Sequence, residues 1–409
     1  MNNHYVPQLT LRKFGDRLCT YNVKAEQYKE NVRNDRAFCE KDLYTNEIED
    51  SLNRKIESQF GSLFSNKLGK ETGKFELSRK EIQLIKKYLL VSVLRSIDSC
   101  NYAAHEQHFY DRLRQYAYWD ALLCGESEQK AQEAAQSKEF NPFQEIEIPG
   151  ETDFDYWMRT LNVILETDGT PQGVLEHPQK TYPAYRWSVV INNGYLAFWD
   201  SAFDHDEYVI TDVGMTSENE VGWNGITVHN HKKTDYLMYL LVNETNQEAK
   251  ISIANNLHLH SCFTENFMMF PISARRMIVE IDPFFKFRQM FCKRYPMPPL
   301  SYLTKLDNES LFYPNDCRYV LPQNSTRHRY HEDDKYIYEI KKLTSHETQY
   351  CNALFLDRID TVCGFSSLDK AVGSIMLYKK LNEPPFDPRV DYTELYRIIE
   401  QRYGGTINV

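Results

Sequence analysis

The chain has 409 residues, a formal net charge of -10 and 42% hydrophobic residues, among them 28 Tyr and 22 Phe. Such a composition excludes a disordered chain and is sufficient for a sizeable core. The acidic balance argues against a broad basic surface for general nucleic-acid binding, and no apolar run reaches the roughly 20 residues of a membrane span. Nine scattered cysteines without a Cys-x-x-Cys pair indicate reduced thiols. We therefore expect a soluble, cytoplasmic protein that is not secreted.

The part of the chain up to residue 140 is predicted to be mainly helical. Thr45 is placed to cap a helix whose apolar residues recur at three- and four-residue spacing. Ser78 and Glu81 form a capping box at the start of a second helix. The elements predicted for this part are a strand at 18–23 and helices at 45–69, 78–97 and 102–138.

Beyond Pro149 and Gly150 the pattern favours a sheet with flanking helices. The apolar run from Trp187 to Trp199 is interrupted by Asn-Asn-Gly, which is typical of a β-hairpin with a tight turn. Further strands are predicted at 208–211, 236–242 and 277–281, and helices at 154–166, 335–360, 367–378 and 392–402. The expected fold class is α+β, with a central antiparallel sheet flanked by helices. We expect two regions, residues 1–140 and 151–409, or alternatively one intertwined domain.

The most informative segment is the first line, which has the string His4-Tyr5-Val6-Pro7-Gln8 followed by Leu9, Leu11, Arg12 and Phe14. It resembles the opening of a family of mostly bacterial proteins of unknown function, which begin His-Tyr-Val-Pro-Gln and continue with Leu-Arg-x-Phe. Less specific pieces of the likeness include the Lys-Ile-Glu string that ends at Glu57, Asp212 after a strand, and Asn352 in a late helix. The resemblance implies one family over residues 4 to about 370.

His4, Gln8 and Arg12 are the first candidate catalytic residues. An imidazole titrates near neutrality and can act as a base, an acid or a metal ligand, and an amide such as that of Gln8 supplies both a donor and an acceptor. The alternative is structural, since buried polar groups need partners whether or not they react. In that case the three residues attach the N-terminal segment to the fold.

Glu57 and Asp212 are the candidate ligands of a divalent metal, Mg²⁺ or Mn²⁺. Arg12 or Arg95 would then stabilise the developing charge of a phosphate. A solvated helix face explains the carboxylates that accompany Glu57 equally well.

Two functions from different classes follow from these residues. The first is a metal-dependent nuclease or related phosphodiesterase that acts in phage defence or as a toxin. The second is a non-enzymatic sensor or protein-interaction module whose N-terminal segment is only a latch. A nucleic-acid partner would use phosphate contacts and base stacking on a local basic and aromatic cluster: Arg318, Tyr319, Arg327, His328, Arg329, Tyr330 and His331. No membrane partner is expected, and the oligomeric state is not inferred.

Overall fold

The computed structural model describes residues 2–95 (except 42, 71 and 72), 126–136, 146–217 (except 147, 194 and 215), 267–281, 317–320, 335–382 and 388–404 (except 389). Its helices are α1 (Gln8–Leu11), α2 in four continuous segments (Asn46–Ser51, Leu52–Glu57, Ser58–Leu63 and Phe64–Leu68), α3 (Arg79–Arg95), α4 (Glu128–Gln136), α5 (Asp153–Glu166), α6 (Pro171–Glu176), α7 (Tyr182–Asn193), α8 (Ser345–Asp357), α9 (Leu368–Leu381) and α10 (Thr393–Tyr403). Its strands are β1 (Asn2–His4), β2 (Arg17–Asn22), β3 (Gln27–Arg33), β4 (Cys39–Lys41), β5 (Lys74–Ser78), β6 (Tyr195–Ser201), β7 (Ile210–Thr211), β8 (Thr216–Ser217), β9 (Phe267–Pro271), β10 (Arg276–Ile281), β11 (Cys317–Val320), β12 (Lys335–Leu343) and β13 (Val362–Phe365). The predicted α+β class is confirmed.

The described strands form three sheets. The largest has the order β11-β12-β6-β10-β9-β8, with β5 also paired to β12. All its pairs are antiparallel except β12 with β6, which is parallel. A second sheet has the order β3-β2-β13-β7, and β1 pairs with β4. The sheet region is therefore mixed rather than purely antiparallel.

Alternating side chains of the large sheet supply two hydrophobic cores. Leu196 and Phe198 of β6 belong to the core that also contains residues of α2, α3, α5 and α7. Ala197 and Trp199 belong to the other core, which contains residues of α8, α9 and α10. Because neighbouring side chains of a strand point to opposite faces, one strand serves both cores. Each core also contains residues from before and after position 140. The division of the chain into domains at that position stays a prediction.

The caps that the sequence indicated begin the helices as expected. The Thr45 hydroxyl accepts the backbone N–H of Ile48 at 3.4 Å at the start of α2. Ser78 and Glu81 exchange hydrogen bonds at the start of α3, the two donor–acceptor distances being 2.7 and 3.2 Å. These contacts satisfy N–H groups that the first turn of a helix leaves unpaired.

The predicted hairpin at 187–199 is wrong in its first half. Residues 182–193 form the helix α7, and only the second half, β6, is a strand. Ala184, Trp187 and Ile191 are buried, and their three- and four-residue spacing is that of a helix face. A short apolar run fits both periods, so tertiary packing decides which one forms.

One other expectation is wrong and one is not confirmed. Residues 335–343 are strand β12 rather than helix, and the helix begins only at Ser345. The mainly helical N-terminal part is not confirmed, since β1–β5 lie there as well. The predicted strand 236–242, most of the helical region 102–138 and residues 327–331 of the basic cluster lie outside the described residues.

Candidate functional site

The N-terminal segment folds inward. Asn3 and His4 pair with Glu40 and Cys39 of β4, and the N–H of Tyr5 donates to the carbonyl of Phe38 at 3.2 Å. Pro7, whose fixed φ suits the residue before a first turn, precedes the short helix α1. This local structure fixes the positions of the His4 and Gln8 side chains.

His4 is 4% exposed and is held by two partners. Its Nε2 lies 3.2 Å from the backbone oxygen of Asn34. The amide nitrogen of Gln8 lies 3.1 Å from Nε2 and 3.3 Å from Nδ1 of the same ring. The imidazole and the Gln8 amide therefore lie within hydrogen-bond distance of each other.

Arg95 ends α3 and is buried between carboxylates. Its side chain is 1% exposed and forms an ion pair with Glu57, and its Nη2 lies 3.9 Å from Glu49. Its Nε donates to the hydroxyl of Tyr44 at 3.3 Å. Asn3 closes the group, because its amide donates to Glu49 at 3.4 Å and accepts the N–H of Tyr44 at 3.3 Å.

We call these residues the N-terminal polar cluster: Asn3, His4, Gln8, Tyr44, Glu49, Glu57 and Arg95. The structure thus brings together three of the predicted site residues that are far apart in sequence. His4, Glu57 and Arg95 lie close enough to affect one another electrostatically. Asn3, Tyr44 and Glu49 were missed. Of these three, only Asn3 could have been suspected from the sequence, because it is next to His4. Glu49 and Tyr44 join the cluster only because α2 packs against α3.

The cluster shifts the protonation of its members in opposite directions. Burial lowers the pKa of His4, and the guanidinium of Arg95 lowers it further, against the raising effects of the Asn34 carbonyl and Glu57. Burial raises the pKa of Glu49, although Arg95 and the Asn3 amide counteract it. Burial alone would lower the pKa of Arg95, but Glu57, Tyr44 and Glu49 outweigh burial and raise it. Arg95 is therefore a permanent cation, and the imidazole favours its neutral form.

Arg12 lies at the edge of the cluster. Its guanidinium is exposed and donates to the side-chain oxygen of Gln8 at 3.1 Å. Gln8 thus bridges an accessible cation and the buried imidazole. Arg12 is the predicted site residue best placed to meet a ligand that arrives from solvent.

Asp212 has different partners. Its two carboxylate oxygens accept the N–H groups of Asp360, Thr361 and Val362 at 3.1, 2.5 and 3.0 Å. Burial raises its pKa to about 6, against the effect of these three donors. The arrangement holds the turn before β13 against β7, which is a structural use of the carboxylate.

The predicted metal ligands are both occupied by other partners. A divalent ion at Glu57 would compete with the guanidinium of Arg95, and one at Asp212 would compete with three N–H donors. Within the described part of the chain, no group of three or more His, Cys, Asp or Glu side chains could hold a metal ion.

A small cavity borders the N-terminal segment. It is lined by Tyr5, Pro7, Thr10, Tyr88 and Ser92 among others, and has a volume of about 20 Å³. That volume admits about one water molecule. The cavity is too small for a substrate, so the polar cluster remains the candidate site.

The fold and the site define an α+β protein with a buried polar cluster at its N-terminal segment. Residues 2–358 match the model of a family described as a protein of unknown function, DUF4238, and the chain belongs to that family. The expectation of one family of unknown function over most of the chain is confirmed. Comparison with curated proteins and with solved structures found no match. In the described residues, no helix combines the length and the apolar character needed to cross a membrane.

Proposed function

We propose that the N-terminal polar cluster is the active centre of a phosphodiesterase, most specifically a nuclease. The observation that carries the proposal is the convergence of His4, with its lowered pKa, and the ion pair of Glu57 and Arg95 behind the accessible Arg12. A neutral imidazole and fixed cations are the groups that hydrolysis of a phosphodiester uses.

The chemistry assigned to these residues is a single displacement at phosphorus. His4 takes a proton from a water molecule as the water oxygen bonds to phosphorus. The bond to the leaving oxygen breaks, and that oxygen takes a proton from solvent water. Arg12 binds the non-bridging oxygens, and Arg95 holds both Glu49 and Glu57 in place. Proton exchange with solvent then restores His4.

The metal part of the proposal is open to a direct assay. A single-stranded DNA, a duplex DNA, an RNA and a chromogenic phosphodiester are each incubated with purified full-length protein in Mg²⁺, in Mn²⁺ and in EDTA. Hydrolysis that survives EDTA assigns the reaction to the side chains alone. Hydrolysis that requires Mg²⁺ or Mn²⁺ means that an ion takes part in the reaction, in place of the metal-free route.

His4→Gln is the decisive variant, since a glutamine can keep a hydrogen bond to the Asn34 carbonyl but cannot act as the base. We expect the rate to fall about 100-fold or more while the protein stays folded. His177→Ala is the matched control, because His177 pairs with Glu166 outside the cluster. Absence of hydrolysis of all four substrates under all three conditions would contradict the proposal.

The second candidate is a protein-interaction module in which the cluster is only a latch. It is favoured by the internal pairing of the cluster, in which Asn3, Gln8 and Arg95 all donate to partners within the fold. In that case His4→Ala lowers the melting temperature strongly, and the biological effect falls only as far as the loss of folded protein explains. An unchanged melting curve with lost effect would refute the latch.

A further inference from the structure

A second group of reactive side chains lies away from the N-terminal polar cluster, where the loop after β6 meets the start of α8. Ser345 is the first residue of α8. Its hydroxyl donates to Asp206 at 2.5 Å, and its Oγ lies 3.4 Å from Nε2 of His205. The same Nε2 lies 3.5 Å from the Asp206 carboxylate. We propose that Ser345 is an activated nucleophile, with Asp206 as its base and His205 as the acid, in an acyl-transfer site for uncharged esters.

The three residues differ in exposure in the way that this role requires. The side chain of Asp206 is 7% exposed, whereas that of His205 is 73% exposed, and Ser345 is half-buried. A buried carboxylate in contact with a hydroxyl can accept its proton. The imidazole remains accessible, so it can reach the leaving group of a bound ester.

The loop and the helix are fixed relative to each other. The N–H of Ala202 donates to the carbonyl of Leu343 at 2.8 Å, and the N–H of Asp206 donates to the carbonyl of Phe203 at 3.1 Å. Thr344 and Glu347 form a capping box that fixes the first turn of α8. The nucleophile and its base are therefore held on two anchored segments rather than on a single mobile loop.

Two features next to Ser345 suit a neutral ester. A helix leaves its first-turn N–H groups without an intrahelical carbonyl. Thr344 accepts the N–H of Glu347 at 3.3 Å, and the positive end of α8 favours an oxyanion formed beside Ser345. Phe203 is 47% exposed, and its ring stacks on that of His205 at a centroid distance of 5.3 Å. This exposed aromatic surface would take the apolar part of the ester.

The proposed reaction balances over two steps. Ser345 Oγ bonds to the carbonyl carbon as Asp206 takes its proton, and the leaving alkoxide takes a proton from protonated His205. Water then bonds to the acyl carbon as neutral His205 takes the water proton. The bond to Oγ breaks, and Oγ recovers its proton from Asp206. The products are an alcohol and a carboxylic acid.

The test uses full-length protein and a fluorophosphonate probe, read by intact mass and peptide mapping. Wild type is expected to form one adduct at Ser345, and a short-chain p-nitrophenyl ester is expected to be hydrolysed. Ser345→Ala should remove both signals. Asp206→Asn should slow labelling about 100-fold, the usual contribution of a positioned base. His205→Ala should reduce ester turnover more than labelling.

Ser366→Ala is the matched control, because Ser366 also donates to a buried carboxylate, Glu207, but has Lys370 rather than an imidazole beside it. It should retain the adduct and the turnover. The proposal is overturned if wild type takes no adduct at Ser345, or if Asp206→Asn is labelled at the wild-type rate. In either case the Ser345–Asp206 hydrogen bond is a structural tie between loop and helix.

Discussion

Replacing Arg95 by methionine tests the central contact of the N-terminal polar cluster. The substitution leaves the carboxylates of Glu57 and Glu49, with side chains 12% and 17% exposed, without their buried cation. Breaking one side of a buried pair costs about 3–5 kcal/mol. The guanidinium carbon also lies 5.6 Å from the centre of the Tyr44 ring, and loss of this cation–π interaction costs about 1 kcal/mol more. We expect Arg95→Met to lower the free energy of unfolding by about 5 kcal/mol in all.

Urea unfolding followed by tryptophan fluorescence measures this loss. The indole of Trp157 donates to the carbonyl of Leu94 at 2.7 Å and its ring lies 5.6 Å from that of Tyr44, so it reports on the region directly. Arg54→Met is the control: its pair with Asp50 has side chains 77% and 67% exposed. Exposed pairs of this kind contribute less than about 1 kcal/mol.

The double variant Arg95→Met/Glu57→Gln separates charge from packing. If the loss comes from an unpaired buried carboxylate, neutralising Glu57 should restore about 1–2 kcal/mol of it. The reasoning is refuted if Arg95→Met stays within about 1 kcal/mol of wild type, or if the second substitution only adds to the loss.

Three further predictions concern stability. Because the folded state lowers the pKa of His4 from its ordinary value of 6.5, the unfolded chain binds the proton first as the pH falls. The unfolding free energy should therefore drop as the pH falls below 6.5, and this pH dependence should be weaker in His4→Gln. Urea unfolding midpoints at several pH values check this. Asp212→Ala removes the acceptor of the N–H groups at 360–362 and should cost about 3 kcal/mol, whereas unchanged amide exchange at those positions would contradict the structural role. Gly364→Ala places a Cβ 2.9 Å from the Phe38 ring and should cost about 1–3 kcal/mol by overpacking, as a lowered melting temperature.

Much of the helical structure could be predicted because its signals are local. The caps at Thr45 and at Ser78 with Glu81 fix where α2 and α3 begin, whatever the rest of the fold does. The run Trp187–Ile191 contains no such signal. Its β-branched and aromatic residues favour a strand, but packing against α3, α5 and α6 selects a helix. Local propensity was outweighed there by burial of Trp187 and Ile191.

The candidate site was predictable where its members are close in sequence. His4 and Gln8 are four residues apart, and a helix that begins after Pro7 brings their side chains together. The pairing of Arg95 with Glu57 spans 38 residues and depends on how α2 packs against α3, which no local pattern specifies. Asp212 shows the converse difficulty: a carboxylate after a strand suggests chemistry, and only the folded chain shows that it accepts three backbone N–H groups.

The energetics of the cluster bear on the choice between a latch and an active centre. Burying charges costs several kcal/mol for each ion, and well-packed apolar side chains often replace a buried ion pair without loss of stability. An aliphatic contact between α2 and α3 would thus fasten the N-terminal segment at least as well as Glu57 and Arg95 do. A latch alone therefore needs neither a buried guanidinium with two carboxylates nor an imidazole whose pKa burial lowers. The proposed hydrolysis would use both, because His4 is its base and Arg95 positions the carboxylates, and this physical argument favours the active centre.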